Sequence, residues 1–334
     1  MLWFRIFLNR LAWFIPTLFA LLIFVFILSR SVPIDPAVLI AGENASSAQV
    51  TEVRKGYGFH KPLISQFALY LRNLSRGDLG NSLYTHQSIS SDLEARLPAT
   101  VELAASSIIV AILVGIPLGV ACGIYYDTLF DHLVRIATVA SMAAIPFWLA
   151  IQLQLLFSMK LDWLPLSGRF DGFPPTPITG LLTMDTLIAG DREAFFSAAK
   201  HLVLPTLTLG LPTAATIQRF TRNSVANFID SPPIMYQTAM GLPRRIVIWK
   251  YLLRMSLSAT IALIGPVVGI ALIGAVAVEA IFDWPGLGNY AFRSILYSDY
   301  NAVMGFTLLS GLIFSFVNLI IDLLQAAVDP RGAL

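Results

Sequence analysis

Long apolar runs separated by short polar stretches organise this chain from end to end. Crossing a bilayer takes about 20 consecutive apolar residues. Six stretches meet or approach that length: Leu11–Leu28, Leu103–Ile124, Leu133–Phe157, Leu202–Ile217, Leu257–Ile281 and Val303–Leu324. Each is expected to be a helix, because backbone polar groups in lipid must be bonded within their own segment. The fourth is short and interrupted by Pro205 and Pro212; Pro16, Pro117, Pro146 and Pro266 fall in the first, second, third and fifth. A bundle tolerates such breaks when neighbouring helices satisfy the freed carbonyls.

A different pattern lies between the fourth and fifth stretches. Ser231–Arg245 reads SPPIMYQTAMGLPRR, a short helix with its own punctuation. Ser231 is placed to cap it through its side chain, and Pro232 suits the first helical position. Gly241 can adopt the left-handed conformation that ends a helix, and Pro243 stops any continuation. A separately capped helix on the water side of a membrane protein is a candidate docking element; the same stretch can also be a plain connector.

Composition agrees with a membrane protein. Hydrophobic residues make up 56% of the 334 and charged residues 13%, and mean hydropathy is +0.73. A soluble domain carries about a quarter charged residues. The net charge of +2 gives no reason to expect a nucleic-acid partner. The single cysteine, Cys122, excludes an internal disulfide and sits in an apolar run as packing.

Charge placement sets the expected orientation. Arg219–Arg254 carries six basic residues against one acid, Asp230, whereas Ser158–Lys200 carries four against five acids. Lys and Arg are retained on the cytoplasmic side, so the former lies inside and the latter outside. Arg5, Arg10 and Arg331 hold both termini inside. Segment 30–99 carries seven basic residues and six acids, but loops of that length translocate regardless of charge. This segment and segment 158–200 are expected to pack as small outer lobes, using apolar residues such as Phe67, Tyr70 and Leu71. No small-residue cleavage site follows Leu28, so the first run reads as an uncleaved helix.

Chemistry is sparse. There is no phosphate-binding loop, since the chain has no Gly-Lys pair, and the four histidines lack metal-ligand spacing. Glu102, Glu279 and Asp322 lie near span ends, where interface water is expected to reach them and an anchoring role is the commoner one. Asn318 lies deeper, placed either to bond a neighbouring helix or to line a path. Gly115 and Gly119 form a small-xxx-small pair that permits close helix contact. Phe282–Gly288 reads as an external turn with Trp284 at headgroup level.

The sequence resembles the permease subunits of bacterial ABC importers for peptides, nickel and related solutes, over nearly its whole length. The resemblance rests on Val32-Pro33-Ile34-Asp35-Pro36, Gly77-Asp78-Leu79-Gly80-Asn81-Ser82, Arg96-Leu97-Pro98-Ala99-Thr100 and Gly115-Ile116-Pro117-Leu118-Gly119. It continues with Trp163–Arg169, Glu279-Ala280-Ile281-Phe282, Trp284–Gly288 and the terminal Asp329-Pro330-Arg331. It implies an all-α integral membrane fold, a six-helix type I permease bundle. The parts would be an N-terminal segment with the first span (1–30), an outer lobe (31–100) and a permease core (101–334).

By the same resemblance, Ser231–Gly241 is the coupling helix of the EAA motif, which seats in a groove of the ATPase. The residues implied to meet it are Pro233, Ile234, Tyr236, Gln237, Ala239, Met240, Gly241 and Arg245. Several depart from the motif: Gln237 stands for its first Ala, Pro233 for a Tyr, its acid is missing, and Ala259 replaces a downstream Pro. The implied partners are a second homologous permease, two cytoplasmic ATPase domains, an external solute-binding protein and membrane lipid. The chain itself would be non-catalytic and hold no cofactor, with ATP and Mg on the ATPase subunits, in the inner membrane. The competing reading is a stand-alone secondary transporter. That would need ion-coupling groups at mid-membrane, and the apolar spans offer no acids there.

Overall fold

The computed structural model describes residues 15–27, 37–38, 45–56, 58 and 60–328, and among them it is predominantly helical with no strand. The Val32–Pro36 run, Arg5, Arg10 and the terminal Asp329-Pro330-Arg331 lie outside the described residues, as do the side chains of Ala259 and Asp322. The helices are α1 (Ile15–Ile27), α2 (Ser47–Gly56), α3 (Leu63–Leu74), α4 (Ile89–Ile124) and α5 (Leu129–Ala143). Next come α6 (Pro146–Leu153), which widens into a π-helical segment over Gln154–Lys160, α7 (Leu182–Ala189), α8 (Arg192–Phe228) and α9 (Pro232–Ala239). The short α10 (Arg244–Ile246) runs through a second π segment, Val247–Leu252, into α11 (Leu253–Ile281); α12 (Leu287–Leu296) and α13 (Tyr300–Val328) follow.

Two spans differ from expectation. Leu133–Phe157 is not one rod: α5 and the α6 segment meet at 107°. Pro146 is the cause. It takes the first position of α6 and forces the residues before it out of the helical region, leaving Ala144 and Ile145 extended at ψ 119° and 129°. Conversely, the short fourth stretch belongs to a 37-residue helix that passes through both Pro205 and Pro212. Leu204, Leu209 and Ile217 of α8 are buried, and such packing outweighs the helix-breaking tendency of the prolines.

Contacts gather the chain into two compact units, one of Pro98–Asn289 with the segment from Phe316, the other of Leu11–Leu97 with Tyr290–Ser315. In the first, α8 is the central helix, packed by α5, α6, α7 and α11. Gly115, Gly119 and Gly123 let α4 lie directly on it. A Cβ at these positions would fall 2.7 Å from the Ala214 carbonyl oxygen, 2.6 Å from Thr221 Cβ and 2.5 Å from Val225 Cβ, respectively. Asn318 lies beside Gly265, its Oδ1 3.1 Å from where a Cβ would be, so it faces the neighbouring helix α11.

In the second unit, α3 packs on α1, with the Phe67 ring 6.0 Å from Phe19 and 5.1 Å from Phe26. Asp299 gathers the Ser82–Tyr84 turn by accepting from the Ser82 hydroxyl (2.6 Å) and the Leu83 backbone N–H (2.6 Å). Arg96 pairs with buried Asp92 at 2.5 Å and lies over the Tyr290 ring.

Candidate functional site

At one end of the first unit, the segment after α8 builds a small projecting helix. Ser231 is its N-cap residue and Pro232 holds the first helical position. The expected side-chain cap does not form: the Ser231 hydroxyl instead donates back to the Phe228 carbonyl at 2.6 Å. Prolines at 232 and 233 explain this, since the second helical position offers no N–H and the third, Ile234, already donates to the Ser231 carbonyl at 3.0 Å. The other end is as expected. Gly241 sits at φ +76°, its N–H donates to the Thr238 carbonyl (3.0 Å), and that of Leu242 reaches the Gln237 carbonyl (3.3 Å). This is the paired Schellman closure, which a left-handed glycine permits.

One face of α9 is anchored. Ile234 is 4% exposed and packs with Val120, Val225, Val247 and Leu252. Of the residues proposed from the sequence to meet a partner, Ile234 therefore points into the unit and fixes the helix. The others behave differently. Pro233, Tyr236, Ala239, Met240, Gly241 and Arg245 are exposed, and Gln237 is half-buried. Met235, Tyr236 and Met240 are 61%, 61% and 63% exposed, a band of large apolar side chains on the outward face. Met235 escaped the sequence reading, although an inward Ile234 places its helical neighbour outward.

A buried brace holds the helix that delivers α9. Arg222, near the end of α8, forks onto Asp131 of α5, Nε to Oδ1 at 2.6 Å and an Nη to Oδ2 at 2.5 Å. Asp131 also accepts from the Asp127 N–H, while Thr128 caps α5 through the Asp131 N–H. The Arg222 guanidinium lies 4.6 Å over the Tyr126 ring. Bidentate geometry resists rotation as well as separation. The sequence reading counted Arg222 only as loop charge and missed Asp131. Its one local signal was the Thr128-x-x-Asp131 capping pattern.

The opposite end of the first unit is closed by buried polar staples. Glu279 is fully buried, not wetted as expected. It accepts from the Thr100 hydroxyl (2.7 Å) and from the Gly288 and Asn289 N–H groups (2.6 and 3.0 Å) that open α12. Glu102, also buried, takes Arg169 together with the hydroxyl and N–H of Thr183. Trp284 was expected at headgroup level, yet it is 1% exposed, with its Nε1 donating to the Ala99 carbonyl at 2.9 Å. Beside them, burial pushes the Asp185 carboxyl up, but bonds from the Thr179 hydroxyl and the Thr179 and Gly180 N–H groups prevail and hold it below its usual value. Anchoring is thus what Glu102 and Glu279 do.

The described residues thus place an outward apolar face on α9, at the end of a bundle braced by Asp131 and Arg222. The chain matches the family described as the binding-protein-dependent transport system inner membrane component over residues 115–333, and its N-terminal membrane component over residues 1–104. It is 38% identical over 308 residues (92% of this chain, 91% of the relative) to the "Probable D,D-dipeptide transport system permease protein" of Escherichia coli strain K12. It is 35% identical to a dipeptide transport system permease of Alkalihalophilus pseudofirmus and 31% to a glutathione transport system permease of Pectobacterium atrosepticum, with 97% of each chain covered in both cases. The chain belongs to this family. It is a permease subunit of an ABC importer, a multi-pass inner-membrane protein with the type I permease fold.

Proposed function

We propose that this permease forms one half of a peptide translocation path, with a second, homologous permease as the other half. An external binding protein delivers the peptide, and two ATPase domains on other chains hydrolyse ATP with Mg. The chain itself catalyses nothing. The α9 end faces the cytoplasm, as do both termini, in keeping with the six basic residues against one acid over Arg219–Arg254. A peptide cargo is supported by the relatives, whose names specify dipeptides, D,D-dipeptides and glutathione.

The observation that carries this reading is the outward face of α9. Met235, Tyr236 and Met240 are large, apolar and exposed on a helix whose other face is locked by Ile234. Such a face suits a protein groove on the water side, where aromatic and methionine side chains are typical anchors. ATP binding would draw the two ATPase domains together and carry each α9 with them. The Asp131–Arg222 brace would pass that displacement to α5 and α8 as a unit, since a forked ion pair does not pivot freely. Nucleotide then biases two arrangements of the bundle, one open to each side.

Reconstitution tests this directly. Liposomes containing this chain with its partner permease and ATPases are expected to accumulate a labelled dipeptide only with binding protein outside and ATP inside. Uptake by this chain alone, driven by an ion gradient, would instead establish the secondary-transporter reading.

A further inference from the structure

The second unit contains a cavity of about 410 Å³ that the transport reading does not use. Its walls are leucine: Leu18 and Leu22 of α1, Leu97 of α4, and Leu308 and Leu312 of α13. The polar side chains of its lining are Ser90 and Glu94, both on α4, and the Ser90 hydroxyl donates to the Gly77 carbonyl at 3.2 Å. Ser90 lies in the first turn of α4 and Leu97 lies two turns further on, so the slot runs roughly 10 Å along the helices.

We propose that this slot binds one membrane phospholipid bearing a primary-amine headgroup, with an acyl chain among the leucines and the ammonium at Glu94. Three features select that occupant. First, α1 and α13 are apolar helices of a membrane protein, so hydrocarbon is the medium that meets the slot, and Leu312 is exposed at its deeper part. An empty slot would forfeit the dispersion contacts of its whole lining, whereas a chain of methylenes fills it. At about 30 Å³ for a group the size of water, the volume holds roughly a dozen such groups.

Second, the adjoining α3 carries the marks of an interfacial helix. Phe67 and Tyr70 pack on Phe26 near the end of α1, while Leu63 and Ile64 stay exposed, Ile64 at 85%. Exposed apolar side chains beside the end of a spanning helix belong in the acyl-headgroup boundary. Leu74, in the last turn of the same helix, lines the slot. Third, the slot's one charged lining residue among those described is a carboxylate. Glu94 is exposed and has no ion-pair partner among the described residues, so an ammonium is the complement it offers a place to. Arg76, exposed and next to Gly77, is available to the phosphate.

The test is native mass spectrometry of the assembled transporter, extracted in mild detergent, stripped, and offered phosphatidylethanolamine or phosphatidylglycerol. One phosphatidylethanolamine is expected to be retained per copy of this chain. Leu309 of α13 also lines the slot, and Leu309→Trp, which fills it, should reduce retention about tenfold. Glu94→Lys lies at the exposed rim and does not depend on repacking; it should reverse the preference towards phosphatidylglycerol. Equal retention of both lipids by the wild type, or retention unchanged by both substitutions, overturns the proposal. So does a cross-link from Leu312→Cys to the second permease, or displacement of the lipid by transported peptide, since either assigns the slot to another occupant.

Discussion

Changing Tyr236 and Met240 together to aspartate is expected to cut solute-stimulated ATP hydrolysis by more than about tenfold, while insertion and folding of the chain persist. Both side chains are exposed on α9, so the isolated permease loses no packing when they change. In the proposed coupling contact they would form the centre of a protein interface, where loss of one aromatic anchor costs about 2 kcal/mol, or roughly thirtyfold in affinity. Two carboxylates in that groove add a desolvation penalty. Tyr236→Phe is the conservative control and should retain most of the stimulation. ATPase assays of the purified complex, with and without loaded binding protein, read the effect. Normal stimulation in the double variant would remove α9 from the coupling mechanism.

The second large effect lies at the opposite end of the first unit. Glu279→Ala should lower the melting temperature of the permease markedly and reduce its yield. Truncation strands the Thr100 hydroxyl and the N–H groups of Gly288 and Asn289 around a buried void. Each buried donor left without a partner costs about 1–3 kcal/mol. Gly286→Ala should reproduce the defect with Glu279 itself unchanged, because its Cβ would collide with the Glu279 carboxylate and displace it. Glu279→Gln keeps the shape and one acceptor oxygen and should be milder. Thermal unfolding in detergent, followed by fluorescence, ranks the three variants. A Glu279→Ala protein that melts with the wild type would deny Glu279 its role in holding α12.

These residues also mark how far the sequence carried. The α9 helix was legible because its signals are local: Pro232 at the start, Gly241 and Pro243 at the end all act within a few residues. Even there the Ser231 hydroxyl went elsewhere, since two adjacent prolines removed one of its targets. Pro146 was equally visible, yet it was read as a tolerated break within one span rather than as a 107° corner. Proline states that a helix stops or bends; tertiary packing decides which. The Gly115 and Gly119 spacing points to a close helix contact without naming its partner, and α8 is the surface that needs them, together with Gly123.

The buried staples were illegible for a different reason. Glu279 meets Thr100 across 179 positions and Arg222 meets Asp131 across 91, distances over which no periodicity speaks. A carboxylate near a span end looks alike in sequence whether water or three protein donors surround it. Only the fold distinguishes them. The exposure of Tyr236 and the burial of Ile234, by contrast, followed once one face of α9 was known to be anchored.

Site-directed cross-linking in the assembled transporter measures the joint itself. Cys122 is buried and the chain's only cysteine, so its replacement by serine gives a clean background. Cysteine at Tyr236 should cross-link to the ATPase subunit, with a yield that changes on addition of ATP, while cysteine at Ile234 should stay unreactive. Efficient cross-linking at Ile234 with none at Tyr236, or labelling of Tyr236→Cys by an impermeant reagent from the outer side, would contradict the coupling role of α9.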